Sequence, residues 1–271
     1  MRSVAVFVMC ALAVTGSRHG PADSFDGSLR SLVLGALTAR RMDDANAPAD
    51  PDGPMTIDWL AGRLLSAIKA DRSALAHMHA RESLLSIAPN GTLLDEADGN
   101  GNEVALPPSF DAPLQRPDAA IVLVHNHPRG NGLSGADLGQ LAKPGVAGII
   151  AVGHDSSLYA AAAGPAYHPN VFETDTYPLA MRETLRRLRT ETAGTHVEAG
   201  AVEAQVEHVV AQSLNKARVI RYRAELGASR SDSYRRLQVV FGHVSAGVAV
   251  AVTRAPSSRI RPPGSPPAVW D

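Results

Sequence analysis

Apolar positions recur at helical spacing in two early stretches, Ser28 to Arg41 and Met55 to Ala70. Between them Asp43 to Pro54 is rich in Asp, Ala and Pro and reads as a linker. The period then changes. Ser83 to Ile87 and Thr92 to Leu94 are short strand-like runs on either side of Pro89-Asn90-Gly91, a hairpin signal. Asp95 to Asn102 is polar and reads as a solvated loop, and Pro107 to Pro117 as an irregular link. Ala119 to Val124 is apolar, rich in β-branched residues and bounded by turn formers, which predicts a buried strand. A short helix to about Ala142 stops before Pro144. Val146 to Val152 and Ser157 to Ala163 are two further strands around a turn at Gly153 to Ser156. Tyr177 to Thr192 and Glu198 to Leu226 read as helical, the second with an apolar stripe through Val202, Val206, Val210 and Leu214. Leu237 to Val252, apolar and containing glycine, reads as a strand pair. The whole predicts an α/β protein, a mixed β-sheet with flanking helices plus a C-terminal, mainly helical region.

This pattern divides the chain into a signal-like segment at 1–16, an N-terminal helical region with linker at 17–70, a core at 71–168, a helical and strand region at 169–252, and a tail at 253–271. The tail is rich in Pro, Ser and Arg and reads as disordered. Residues 1–16 carry one Arg and an apolar run from Val4 to Val14, too short to span a bilayer. They fit a signal peptide, a buried strand or an extension from an upstream start codon. A cytoplasmic location is the expectation, with secretion the alternative if that segment is a signal.

Composition changes this picture little. The chain has 271 residues, enough for one or two domains, and is 45% hydrophobic with only 4% aromatic, so the core rests on Ala, Val and Leu. A net charge of −1 argues against a global field for nucleic acid or membrane, and stable membrane insertion is not expected. A single cysteine, Cys10, excludes an internal disulfide and a cysteine-based zinc site.

Candidate chemistry gathers where the central strand ends, in His125-Asn126-His127-Pro128. Residues two apart on a strand point to one side, so the two imidazoles project together and Asn126 points away. Pro128 ends the pairing. Gly130 and Gly132 let the chain turn back, and Ser134 has the form of a helix N-cap with Asp137 in the first turn. Two His and one Asp are a three-ligand set for zinc with a position left open for water, the form of a catalytic site. Ser134 is placed to donate to a developing oxyanion, and such a site also needs a carboxylate base from elsewhere.

The string HNHP, a short loop and then SxxD resembles the JAB/MPN (JAMM) metalloprotease motif, and the HNHP form is most similar to RadC-like bacterial members. The resemblance covers about Ala80 to Pro165. It implies a zinc metallopeptidase or isopeptidase in which His125, His127 and Asp137 hold Zn2+, Glu82 is the base and Ser134 stabilises the oxyanion. Its partner would be a peptide or protein substrate, including isopeptide-linked ones. Taken alone, Glu82 reads as an exposed charge at a strand edge; with His125 and His127 downstream it reads as the base.

Other readings stay open. Lys216 to Arg236 holds seven basic residues against Glu225 and Asp232, which suits nucleic acid or a solvated helix face. RadC-like proteins also carry a DNA-repair label, and some JAB relatives are catalytically silent scaffolds. The HNH nuclease motif spreads its residues over a ββα unit, whereas here they are contiguous. His77 and His79 lie two apart on a segment that reads as helical, where they face apart. His154 sits in a turn and reads as a surface residue or as part of the cleft wall.

Overall fold

The computed structural model describes residues 29–43, 56–70, 75, 81–99, 104–193 and 199–255. The signal-like segment, most of the first linker, His77, His79 and the tail from 256 onward lie outside them, while Thr253 and Arg254, expected to open the disordered tail, end the last helix.

Two helices open the described chain, α1 (Leu29–Asp43) and α2 (Ile57–Ala70). The hairpin follows as β1 (Ser83–Ile87) and β2 (Leu93–Asp98), then α3 (Pro108–Leu114) and β3 (Ile121–His127). A short helix α4 (Gly135–Gly139) leads through a 3-10 turn to β4 (Val146–Gly153) and β5 (Leu158–Ala163). The C-terminal region holds α5 (Tyr177–Thr192), α6 (Ala199–Glu203), α7 (Val206–Lys216), β6 (Ile220–Glu225) and α8 (Ala228–Arg254).

The strands form one six-stranded sheet in the order β2-β1-β3-β4-β5-β6. Only β3 and β4 run parallel, and the crossover a parallel pair requires contains α4. All other neighbours are antiparallel, so the sheet is mixed. Alternation along β3 splits its side chains between two cores. Val122 and Val124 face α1 and α2, while Ile121 and Leu123 face the layer built from α5, α7 and α8. Each such fully buried Leu, Ile or Val contributes about 1.5–3 kcal/mol. His125 and His127 share the parity of Ile121 and Leu123, so both open toward the C-terminal helical layer. Asn126 faces the other way.

Four elements differ from the sequence expectation. The acidic stretch after Leu94 is not a loop: β2 runs on through Asp98, because Asp95 accepts from the Ser109 hydroxyl, Glu96 pairs with Arg30 and Asp98 accepts from Ser83. The link at Pro107 contains helix α3, started by Pro108 and anchored by buried Phe110 and Leu114. Glu198 to Leu226 is not helical throughout. Ile220, Tyr222 and Ala224 alternate with Arg221, Arg223 and Glu225, and that period of two places β6 against β5. Lastly, Leu237 to Val252 is no strand pair. It lies within α8, whose buried Leu237, Phe241, Val244 and Val248 recur every three or four residues, and that period outweighs the β-branched composition. By length and composition α8 could cross a membrane. Here it packs on α5 and α7.

Candidate metal centre

The centre sits where β3 ends. His125 and His127 are 2% and 3% exposed, with ring centroids 4.5 Å apart in an edge-on arrangement. The chain turns at Gly130, whose φ of +67° suits glycine, and a Cβ there would run into the Asp155 carboxylate. It then enters α4 through a complete capping box. The Ser134 hydroxyl accepts from the Asp137 N–H at 3.1 Å, and Asp137 Oδ2 accepts from the Ser134 N–H at 2.7 Å. That cap holds the carboxylate against the imidazoles, Oδ1 toward His125 and Oδ2 toward His127.

His125 Nε2 lies 3.7 Å from Asp137 Oδ1, and His127 Nε2 lies 3.5 Å from Oδ2. Both are too long for hydrogen bonds. They are close to the ~3.3 Å that separates two ligands held at zinc–nitrogen and zinc–oxygen lengths in a tetrahedron. One ligand atom from each of the three residues falls within 4.8 Å of the others. His125 Nε2 is buried with no hydrogen-bond partner. A buried acceptor left unpaired is costly, and a metal ion would satisfy it. His127 Nδ1 lies 2.8 Å from the Asn131 carbonyl, so Nδ1 carries the proton and Nε2 presents its lone pair to the centre. The three residues fit a metal ion.

Electrostatics follow the same geometry. Burial pushes His125 down to about 4, against the pull of Asp137. Burial also works against protonated His127, but Asp137, the Asn131 carbonyl and the charge of Glu82 together hold it above its ordinary value. Asp137 is well below the carboxylate range: burial opposes the charge, and the two imidazoles and the Ser134 N–H outweigh it.

In the metal-free chain these shifts act on stability in separate windows. Below 6.5 the unfolded chain binds a proton that folded His125 refuses down to about 4, so stability falls as pH drops through that range, by on the order of 3 kcal/mol. His127 works in the opposite sense. Its contribution is present below 6.5 and is lost as pH rises through its raised folded value. Burial also pushes His208 down to about 4, which adds a second loss on the acid side. In thermal melts in chelator the acid limb should therefore become shallower, but persist, in His125→Gln.

Glu82 precedes β1. Leu84 and His125 are the last pair of the antiparallel register, and continuing that register by two residues would set Glu82 opposite His127 on the same face. Its carbonyl accepts from the Gly99 N–H at 2.7 Å, and its charge acts on His127. Of the residues read from sequence, His125, His127, Asp137, Ser134 and Glu82 therefore share one end of the sheet. His154 is half-buried and bonded to Asn126. The basic run is split between the end of α7, β6 and the start of α8.

Three further residues hold the metal loop and had no motif to mark them. Glu207, in the first turn of α7, accepts from Asn131 Nδ2 at 2.8 Å, and burial raises its carboxyl above the usual range. Tyr177 packs its ring against Gly135. Arg230, in the first turn of α8, donates from Nε to Asp155 at 2.8 Å, from Nη2 to the Arg129 carbonyl at 3.0 Å and from Nη1 to the Ala204 carbonyl. The only trace in the sequence is that all three fall on helices next to apolar stripes.

Comparison with protein-family models, with curated proteins and with solved structures finds no match for this chain.

Proposed function

We propose that the chain is a zinc-dependent peptidase or isopeptidase of the JAB/MPN type. The observation that carries this reading is the buried, unpartnered His125 Nε2 facing Asp137 Oδ1 beside His127. Two imidazole nitrogens and one carboxylate oxygen with an open position favour zinc in a catalytic setting over calcium or magnesium, which take oxygen ligands. Zinc held there supplies a Lewis acid and activates water at neutral pH.

The chain's own residues supply the rest. Asp137 and His127 enter the site already oriented, one by the helix cap and one by the Asn131 carbonyl. Glu82, level with His127, takes the proton from the attacking water and passes it to the leaving amine. The Ser134 oxygen is occupied by the Asp137 N–H, but its own proton has no acceptor among the described residues. That proton is available to an oxyanion formed at the substrate carbonyl. The site residues favour an active enzyme over a silent scaffold. Elemental analysis and a peptide-library digest test the reading, and a chain that binds no zinc after careful reconstitution would overturn it.

The alternative, nucleic-acid binding through Lys216 to Arg236, gains less support. Arg230 is bonded to Asp155, Lys216 to Ser245, and Arg235 pairs with Asp232. Removing Arg218, Arg221 and Arg223 together should leave peptide cleavage unchanged, measured as kcat/KM. A loss with the fold intact would tie these residues to the substrate.

A further inference from the structure

The middle residue of His125-Asn126-His127 points to the opposite face of the sheet from the ligands and is itself 2% exposed. Its amide is fully engaged. Oδ1 accepts from the Ser83 N–H at 2.7 Å, and Nδ2 donates to the Arg81 carbonyl at 2.9 Å and to His154 Nε2 at 3.0 Å. The two backbone groups it takes belong to the residues on either side of Glu82. The β1–β3 pairing ends at Leu84 and His125, so no ladder ties this segment to β3. The Asn126 side chain replaces the missing rung. Across the strand, the Gly99 N–H holds the Glu82 carbonyl.

From this we infer that Asn126 is a positioning residue for Glu82: its amide clasps Arg81 and Ser83 so that the carboxylate between them stays level with His127. The inference rests on the proposed function, in which Glu82 is the base. One tripeptide then does two jobs. Its outer residues present the metal ligands on one face, and its middle residue fixes the proton acceptor from the other. An amide suits the clasp because its oxygen and its NH2 are separate atoms on one planar group, so it accepts the Ser83 N–H and donates to both the Arg81 carbonyl and His154 at once. Asp cannot donate to the Arg81 carbonyl when ionised, and Ala can do neither.

The test is a double-mutant cycle on the full chain loaded with zinc. Asn126→Ala should keep its zinc, because the ligands lie on the other face. Its kcat should fall roughly a hundredfold, the loss expected for a misplaced catalytic group, with KM little changed. In a Glu82→Gln background the same substitution should cost nothing more, because it acts through Glu82. Equal losses in both backgrounds would assign Asn126 another role, as would an unchanged kcat or the loss of zinc. A second readout does not need catalysis. The Ser83 amide should be protected from hydrogen exchange in wild type and exchange at least about tenfold faster in Asn126→Ala. Equal exchange would overturn the clasp. If the wild type binds no zinc, the proposed function fails, and the exchange measurement still decides whether the clasp exists. Asn126→Leu, which fills the buried position and can neither accept nor donate, serves if the alanine variant does not fold.

Discussion

Asp137→Asn should emerge from zinc loading almost empty, while wild type carries about one zinc per chain. Asparagine is the informative substitution because Asp137 has two tasks. Its Oδ2 accepts the Ser134 N–H to cap α4, and its Oδ1 faces His125. The amide oxygen of asparagine can still accept that N–H, so the helix start survives. What goes is the anionic ligand. Loss of a single outer-sphere partner typically lowers metal affinity by about 10- to 100-fold, and removal of a direct ligand should exceed that. Asp137→Ala should lose the metal and also its own half of the capping box, the acceptor for the Ser134 N–H, while the Ser134 hydroxyl still accepts the N–H of residue 137. Zinc by elemental analysis and melting curves in chelator separate the two. Full zinc occupancy in Asp137→Asn would remove this residue from the ligand set.

Glu82→Gln should give the reverse combination, with zinc retained and turnover lost. Glu82 lies two residues before the last β1–β3 pair and its charge acts on His127, but it is not among the residues whose ligand atoms converge. The substitution leaves the backbone bond from Gly99 in place. General base catalysis is worth roughly 10²–10⁴-fold, so kcat should fall by that factor with KM far less affected. Unchanged turnover at full zinc occupancy would reject Glu82 as the base while leaving the metal centre intact.

How far the site could be read in the sequence depends on how local its causes are. The direction of the two imidazoles follows from strand parity, and the aim of Asp137 from a cap closed within three residues. These need no distant partner. Glu82 was reachable only through the family resemblance, because its place depends on a strand register between segments far apart in the chain. Glu207 and Arg230 were not reachable at all. Their roles come from α7 and α8 packing against the metal loop, and no spacing rule encodes that. The same holds for the fold. The hairpin and the β4–β5 pair were legible because turn residues mark them. Strand β6 was hidden by its arginines: a run read for charge conceals an alternation of apolar and polar positions. In α8 the valines suggested strand, and only the spacing of buried positions along the helix reveals why tertiary packing prevailed.

Arg230 has a consequence for how this protein comes into being. Both imidazoles and Asp137 have been made by residue 137, yet the carbonyl of Arg129 and the carboxylate of Asp155 are held by a guanidinium that comes 101 and 75 residues after them. The sheet, too, has its last strand supplied from that late stretch. In a chain made from its N-terminus, the ligands exist well before the bonds that hold their loop. The finished centre therefore belongs to the late stage of folding, and a nascent or truncated chain carries its histidines and aspartate without a fixed place for an ion.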